Sequence, residues 1–224
     1  MKKFALSGLM FSGKDFVADT AKLKKLTVAG PIYELAKSLT GVGRDQPNTP
    51  GLRALWQSIG QWGWGSISAQ YPLTAERALL TRDIRNHGHE MAPSYAWVEW
   101  HKYGTRKDFW IATMLHDLAA RPDEDFEGYN GVVMSSTRFR HELEPLKANG
   151  FEHYLVACHE DTRRARMAAA GCNYSERELN DESERMSLDL LTELPRHRII
   201  WNDDWTNMPE GALTIQEFVS IVRK

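Results

Sequence analysis

Gly8-Leu9-Met10-Phe11-Ser12-Gly13-Lys14-Asp15 carries two glycines five positions apart and a lysine directly after the second. The stretch matches G-x-x-x-x-G-K and departs from the usual pattern in having Asp15 where Ser or Thr follows. Glycines let a chain fold tightly round a phosphate group, with N–H groups turned inward and the positive end of the next helix behind them. Lys14 is then the side chain that reaches the β- and γ-phosphates of a nucleotide. At ordinary residue usage this spacing arises by chance about 0.06 times in a chain this long, so a plain strand-to-helix turn with a solvated lysine is the weaker reading. Asp15 has two readings. It holds Mg²⁺, directly or through water, or it complements the positive helix N-terminus.

The flanks agree with a loop between strand and helix. Lys3 to Leu9 is a short apolar run, and Lys14 to Leu23 places Phe16, Val17 and Ala21 at helical spacing. Further along, Leu26 to Ala29 reads as a strand, and Pro31 suits the first turn of a helix. Residues 41–51 are rich in turn formers, and 52–59 form a helix with one apolar face. Residues 61–103 break the alternation and read as an insertion. Beyond it come helix 108–120, strand 131–135, helix 141–149, strand 154–158, a basic helix capped by Asp161, a helix opened by Ser175 and Glu178, and strand 198–201. The final helix carries its own start signal, Thr214 with Glu217, and an apolar face of Ile215, Phe218, Val219 and Val222. Strands alternating with helices imply a mostly parallel sheet covered on both sides.

Composition narrows the classes. The chain has 224 residues, 42% hydrophobic and 26% charged, which excludes wholesale disorder and collagen-like repeats. A net charge of −2 argues against a protein that coats nucleic acid, and no run is long enough for a membrane span. Cys158 and Cys172 cannot build a disulfide framework or a thiol-rich zinc site, which fits a reducing cytosol. The eight histidines show no metal-ligand spacing.

Several segments, in order, resemble the phage deoxynucleoside monophosphate kinases. The SGKD ending of the loop is typical of that family, and Ala29-Gly30-Pro31-Ile32-Tyr33 is similar to its A-x-P-L helix start. The stretch from Leu52 to Gly60 resembles R-x-L-L-Q-x-x-G, Gly104-Thr105-Arg106 with Asp108-Phe109-Trp110 resembles G-T-x-x-R and D-x-W, and Val132 to Glu142 resembles V-V-x-S-D-x-R-F-x-x-E. Ile200-Trp201-Asn202 is similar to a late I-x-N. Together these cover most of the chain outside 61–103. Ser136 departs from the pattern, standing where the family has Asp.

The resemblance implies an α/β, three-layer P-loop nucleotide kinase fold in one domain, 1–224. The sheet is expected to be mostly parallel with helices on both faces, an acceptor-side helical insertion at 61–103 and a lid at about 160–185. It implies transfer of phosphate from ATP, with Mg²⁺, to a deoxynucleoside 5′-monophosphate for DNA synthesis in the cytoplasm, the host's if phage-encoded. Gly8, Phe11, Ser12, Gly13, Lys14, Asp15 and Asn202 are expected at ATP, with Asp15 on the metal. Arg53, Gln57, Arg106 and Trp110 are expected at the acceptor. Lys14, Arg138, Arg163 and Arg166 are the expected catalytic cations, which bring like-charged phosphates together. Each arginine also reads as a solvated or paired surface group, and Trp110 as a core residue. Glu142 and Glu184 read as structural partners of arginines. The tryptophans gathered in 56–110 suit a satellite core or an oligomer contact such as a homodimer. A kinase for a modified nucleotide or another small phosphorylated acceptor, an inactive nucleotide-binding module, and a kinase acting on bases within DNA are the rival readings.

Overall fold

The computed structural model describes residues 1–30, 32–33, 36–37, 41, 109–172 and 182–224. Internal contacts group these into two units, one of Met1–Thr27 with Arg121–Lys224 and one of Val28–Ala120. In the second unit, helix α2 (Phe109–Ala120) buries Ile111, Met114 and Leu118, the stripe expected from their spacing. Arg53, Gln57, Arg106, the 61–103 insertion and the Ser175–Glu178 cap lie outside the described residues.

The first unit is an α/β layer structure. Its strands are β1 (Lys3–Ser7), β2 (Leu23–Leu26), β3 (Gly131–Met134), β4 (Glu152–Ala157), β5 (Ile199–Trp201) and β6 (Leu213–Thr214). All pair in parallel, in the order β2-β3-β1-β4-β5-β6. The helices of this unit are α1 (Lys14–Thr20), α3 (Arg140–Ala148), α4 (Glu160–Ala169), α5 (Glu182–Glu193) and α6 (Ile215–Arg223). Among the described residues no helix is long and apolar enough to cross a membrane.

Alternation along the strands sorts the core. Phe4 and Leu6 of β1 share a face with Tyr154 and Val156 of β4, and there Val17 and Ala18 of α1 and Phe218 and Val222 of α6 cover them. Phe4, Tyr154 and Phe218 meet as a triad, with ring centroids 5.4 Å apart for Phe4–Phe218 and 5.1 Å for Tyr154–Phe218, both edge-on. On the opposite face Leu155 packs with Met186 and Leu190 of α5, and Leu143 of α3 joins them.

Two local expectations need correction. The second strand runs over Leu23–Leu26 rather than 26–29, because α1 stops at Thr20 and the chain turns at once through Lys22, whose φ is +52°. Lys24 and Lys25 mask the strand in the sequence, yet lysines suit an edge strand. The basic helix after β4 is not capped by Asp161. His159 stands at its N-cap, and Asp203 accepts from His159 N at 2.8 Å and from Thr162 Oγ1 at 3.0 Å.

Candidate functional site

Parallel pairing brings the carboxyl ends of β3, β1, β4 and β5 to one edge of the sheet. The chain leaves β1 for β2, beyond β3, and later returns to β4 on the other side of β1. That makes the end of β1 a topological switch point, where open α/β sheets bind ligands. The 8–14 loop leaves the sheet there.

Both glycines are demanded by the backbone. Gly8 has φ +149°, and a Cβ there would run into Val156 O and Ser12 Oγ; Gly13 has φ +92°, and a Cβ there would run into Asn202 Nδ2. Phe11 also lies in the left-handed region, at φ +61°, a conformation that has to be held from outside. Asn202 and Arg166 hold it. Asn202 Nδ2 donates to Ser12 O at 2.7 Å, while Arg166 Nη1 donates to Phe11 O and Ser12 O at 3.3 Å each. Arg166 Nη2 also donates to Asn202 O at 2.9 Å, and Asn202 N to Ala157 O at 2.8 Å, which ties this brace to the ends of β4 and β5. A trans peptide sets its N–H opposite its carbonyl, so fastening Ser12 O to Asn202 turns Gly13 N–H away from that side. Gly13 is the N-cap of α1 and, having no side chain, leaves the helix start without a side-chain cap. Ser12 Oγ is buried and has no partner among the described residues.

Lys14 curls into the loop, with Nζ donating to Gly8 O at 2.6 Å and Leu9 O at 3.0 Å. Burial, seconded by the charge of Arg138, lowers its pKa to about 8, against the opposing pull of Glu184 and Asp15. The ammonium therefore stays largely protonated at neutral pH. Arg138 is exposed, ahead of α3. Its main-chain N–H and that of Phe139 both donate to Glu142 Oε2, at 2.7 and 3.0 Å. Burial pushes the Glu142 carboxyl up, and those two amides and the Arg138 charge pull it back.

Asp15 is exposed and accepts from Ser135 Oγ at 2.9 Å; Ser136 Oγ meets Met134 Sδ at 3.6 Å. Among the described residues no group of three or more His, Cys, Asp or Glu gathers to hold a metal. The donor set here is one carboxylate beside the glycine loop, which would suit only an ion that takes few protein ligands, such as Mg²⁺.

The structure thus brings together Gly8, Phe11, Ser12, Gly13, Lys14, Asp15, Asn202, Arg138 and Arg166. Arg163 stands apart in role: it is 6% exposed, and its Nε and Nη2 are bound to Glu160 at 2.8 Å. Trp110 lies in the first turn of α2. The chain matches no family model and no curated protein.

Sequence reasoning missed what Glu142, Glu184 and Asp203 do. All three accept main-chain N–H groups, and Glu184 Oε2 takes Met10 N at 2.7 Å. The sequence signal for Glu142 was present, an acidic residue in the first turn of a helix that follows a strand. Nor does the sequence announce a cavity of about 400 Å³ beside Asn202, lined in part by Arg166, Trp201, Asp203, Trp205 and Met208.

Proposed function

We propose that this chain is a P-loop kinase that transfers the γ-phosphoryl group of ATP to a deoxynucleoside 5′-monophosphate, in the nucleotide kinase fold. The observation that carries the reading is the braced glycine loop at the end of the central strand, with Lys14 in it and Arg138 close enough to depress the Lys14 pKa. Two cations at one glycine loop suit a polyanion. The cavity beside Asn202 sets Trp201, Trp205 and Met208 among polar groups that include Arg166, Asp203, Asp204 and Gln216, a mixed lining that suits a heterocyclic base attached to that polyanion.

In this reading an acceptor phosphate oxygen attacks the γ-phosphorus, and the bond to the β–γ bridging oxygen breaks as ADP leaves. The acceptor is already largely ionised at pH 7, so no general base is required. Lys14 swings from the Gly8 and Leu9 carbonyls to the β- and γ-phosphates, and Arg138 offsets charge on the transferring group. Arg166 and Asn202 keep the loop in shape from behind. Mg²⁺ bound to the phosphates would be held by Asp15 and would supply charge neutralisation. Deoxyribose preference, the acceptor roles of Arg53, Gln57, Arg106 and Trp110, and any contribution of Arg163 rest on the family resemblance.

Titration calorimetry with ATP and Mg²⁺, followed by a panel of nucleoside monophosphates read by ADP release, tests the reading. It expects ATP binding and at least one deoxynucleotide acceptor. No heat with ATP or GTP from folded protein would refute it. Binding without turnover on any acceptor would favour an inactive nucleotide-binding module, the rival suggested by Asp15 and Ser136.

A further inference from the structure

Glu184 lies in the first turn of α5, is 3% exposed, and sends its carboxylate to the phosphate loop across 174 residues of sequence. A carboxylate so deeply buried is costly unless its oxygens are matched by donors or cations. Here the match is Met10 N–H at 2.7 Å, a charge-assisted hydrogen bond at the short end of the N–H···O range. Met10 belongs to the half of the loop that Asn202 and Arg166 do not reach, since those two fasten Phe11 O and Ser12 O. Met10 is followed by Phe11, the residue held at φ +61°. The loop is therefore gripped on both shoulders. Asn202 and Arg166 draw its carbonyls one way, and Glu184 fixes an amide of the preceding residue.

We infer that Glu184 is a positioning residue for the phosphate loop, acting through its hydrogen bond from Met10 N–H to set the loop geometry that receives the donor's phosphates. This rests on the reading of the loop as a phosphate site. A carboxylate anchoring a loop amide differs from an arginine partner on the surface: its removal frees a main-chain donor and the strained residue beside it. The loop then samples other conformations, and the cost falls on donor binding rather than on acceptor binding.

The test uses Glu184→Gln, which keeps an oxygen acceptor in place, and Glu184→Ala, which does not. The first readout is hydrogen–deuterium exchange over residues 8–14 in protein without nucleotide. Protection of the Met10 amide is expected to drop at least tenfold in E184A and to be largely kept in E184Q. The second readout is steady-state kinetics, with the KM for ATP expected to rise about tenfold in E184A, the acceptor KM to hold, and E184Q to recover most of the loss. Unchanged exchange at Met10 in E184A overturns the inference. So does an ATP KM equal to that of the unmodified protein, or an E184Q as impaired as E184A. If E184A does not fold, Glu184→Met, which fills the space without an oxygen acceptor, takes its place, and unchanged Met10 exchange in that variant overturns the inference. Should the unmodified protein fail to bind ATP, the kinase reading falls, while the exchange experiment still decides whether Glu184 holds the loop.

Discussion

At the scale of single residues, the loop works by pairing flexibility with restraint. Gly13 supplies a left-handed backbone and leaves room for the Asn202 amide, and Asn202 returns a buried hydrogen bond to Ser12 O. Gly13→Ala forces both a strained φ and a collision, so we expect a loss of about 1–3 kcal/mol in urea unfolding, with ATP binding abolished. An ATP affinity within twofold of the unmodified protein would show that the loop tolerates a different shape. Lys14→Ala separates binding from folding. It removes a half-buried ammonium that contacts main-chain carbonyls at the loop's own start, so the circular dichroism spectrum should stay the same while turnover drops on the order of a hundredfold or more. Normal turnover would remove Lys14 from the site. The loop itself was legible because two glycines and a lysine at this spacing rarely coincide unless the backbone has to turn as tightly as it does here. Glu184 was not legible: nothing near Met10 or near α5 in the sequence announces a contact between them.

Elements are legible where pattern and termini agree. The last helix shows both: Thr214 Oγ1 accepts from Glu217 N at 3.1 Å, Glu217 Oε2 accepts from Thr214 N at 2.8 Å, and Phe218 and Val222 are buried. Those amide and hydroxyl contacts also hold the Glu217 carboxyl below its usual range. Thr214→Ala should cost about 1 kcal/mol and lower the melting temperature by about 2–4 °C, and a melting curve that does not move would remove the cap from the stability account. β6 is invisible in the sequence because two residues carry no periodicity, and Thr214 serves both as its end and as the helix cap. β2 is hard to place because its exposed-edge lysines hide the apolar ends Leu23 and Leu26. At the start of α4 the acids nearest in sequence are Glu160 and Asp161, whereas the working carboxylate is Asp203, which only the sheet brings alongside. Burial tends to raise the Asp203 carboxyl, but its amide and hydroxyl partners together outweigh that and hold it low. Local signals find local contacts; braces between strands separated by long connections leave no trace in neighbouring residues.

For the molecule as a whole, the seam between β1 and β4 carries a partly buried titratable group, His153, against the buried hydroxyl of Ser7. Ser7 Oγ and His153 Nε2 lie 2.7 Å apart, and burial, with Arg198 nearby, lowers the His153 pKa to about 4 from 6.5. Between those values the unfolded chain binds the proton that the folded chain refuses, so stability is complete above pH 6.5 and is lost as pH falls toward 4. The loss amounts to up to about 3 kcal/mol. Urea midpoints at pH 7 and pH 4.5 should separate more for the unmodified protein than for His153→Gln, which keeps a partner for Ser7 but cannot titrate. Equal separations would assign the acid sensitivity elsewhere.

Phe4 pairs with Val133 on one side and Glu152 on the other, so β1 finds its neighbours only across sequence separations of 129 and 148 residues. Until those separations close the glycine turn has neither the Val156 wall nor the Asn202 brace, and a nascent chain halted before β5 lacks the contacts that shape the 8–14 loop. Assembly is consequently governed by distant closure, which is slow and leaves an apolar strand exposed in the meantime.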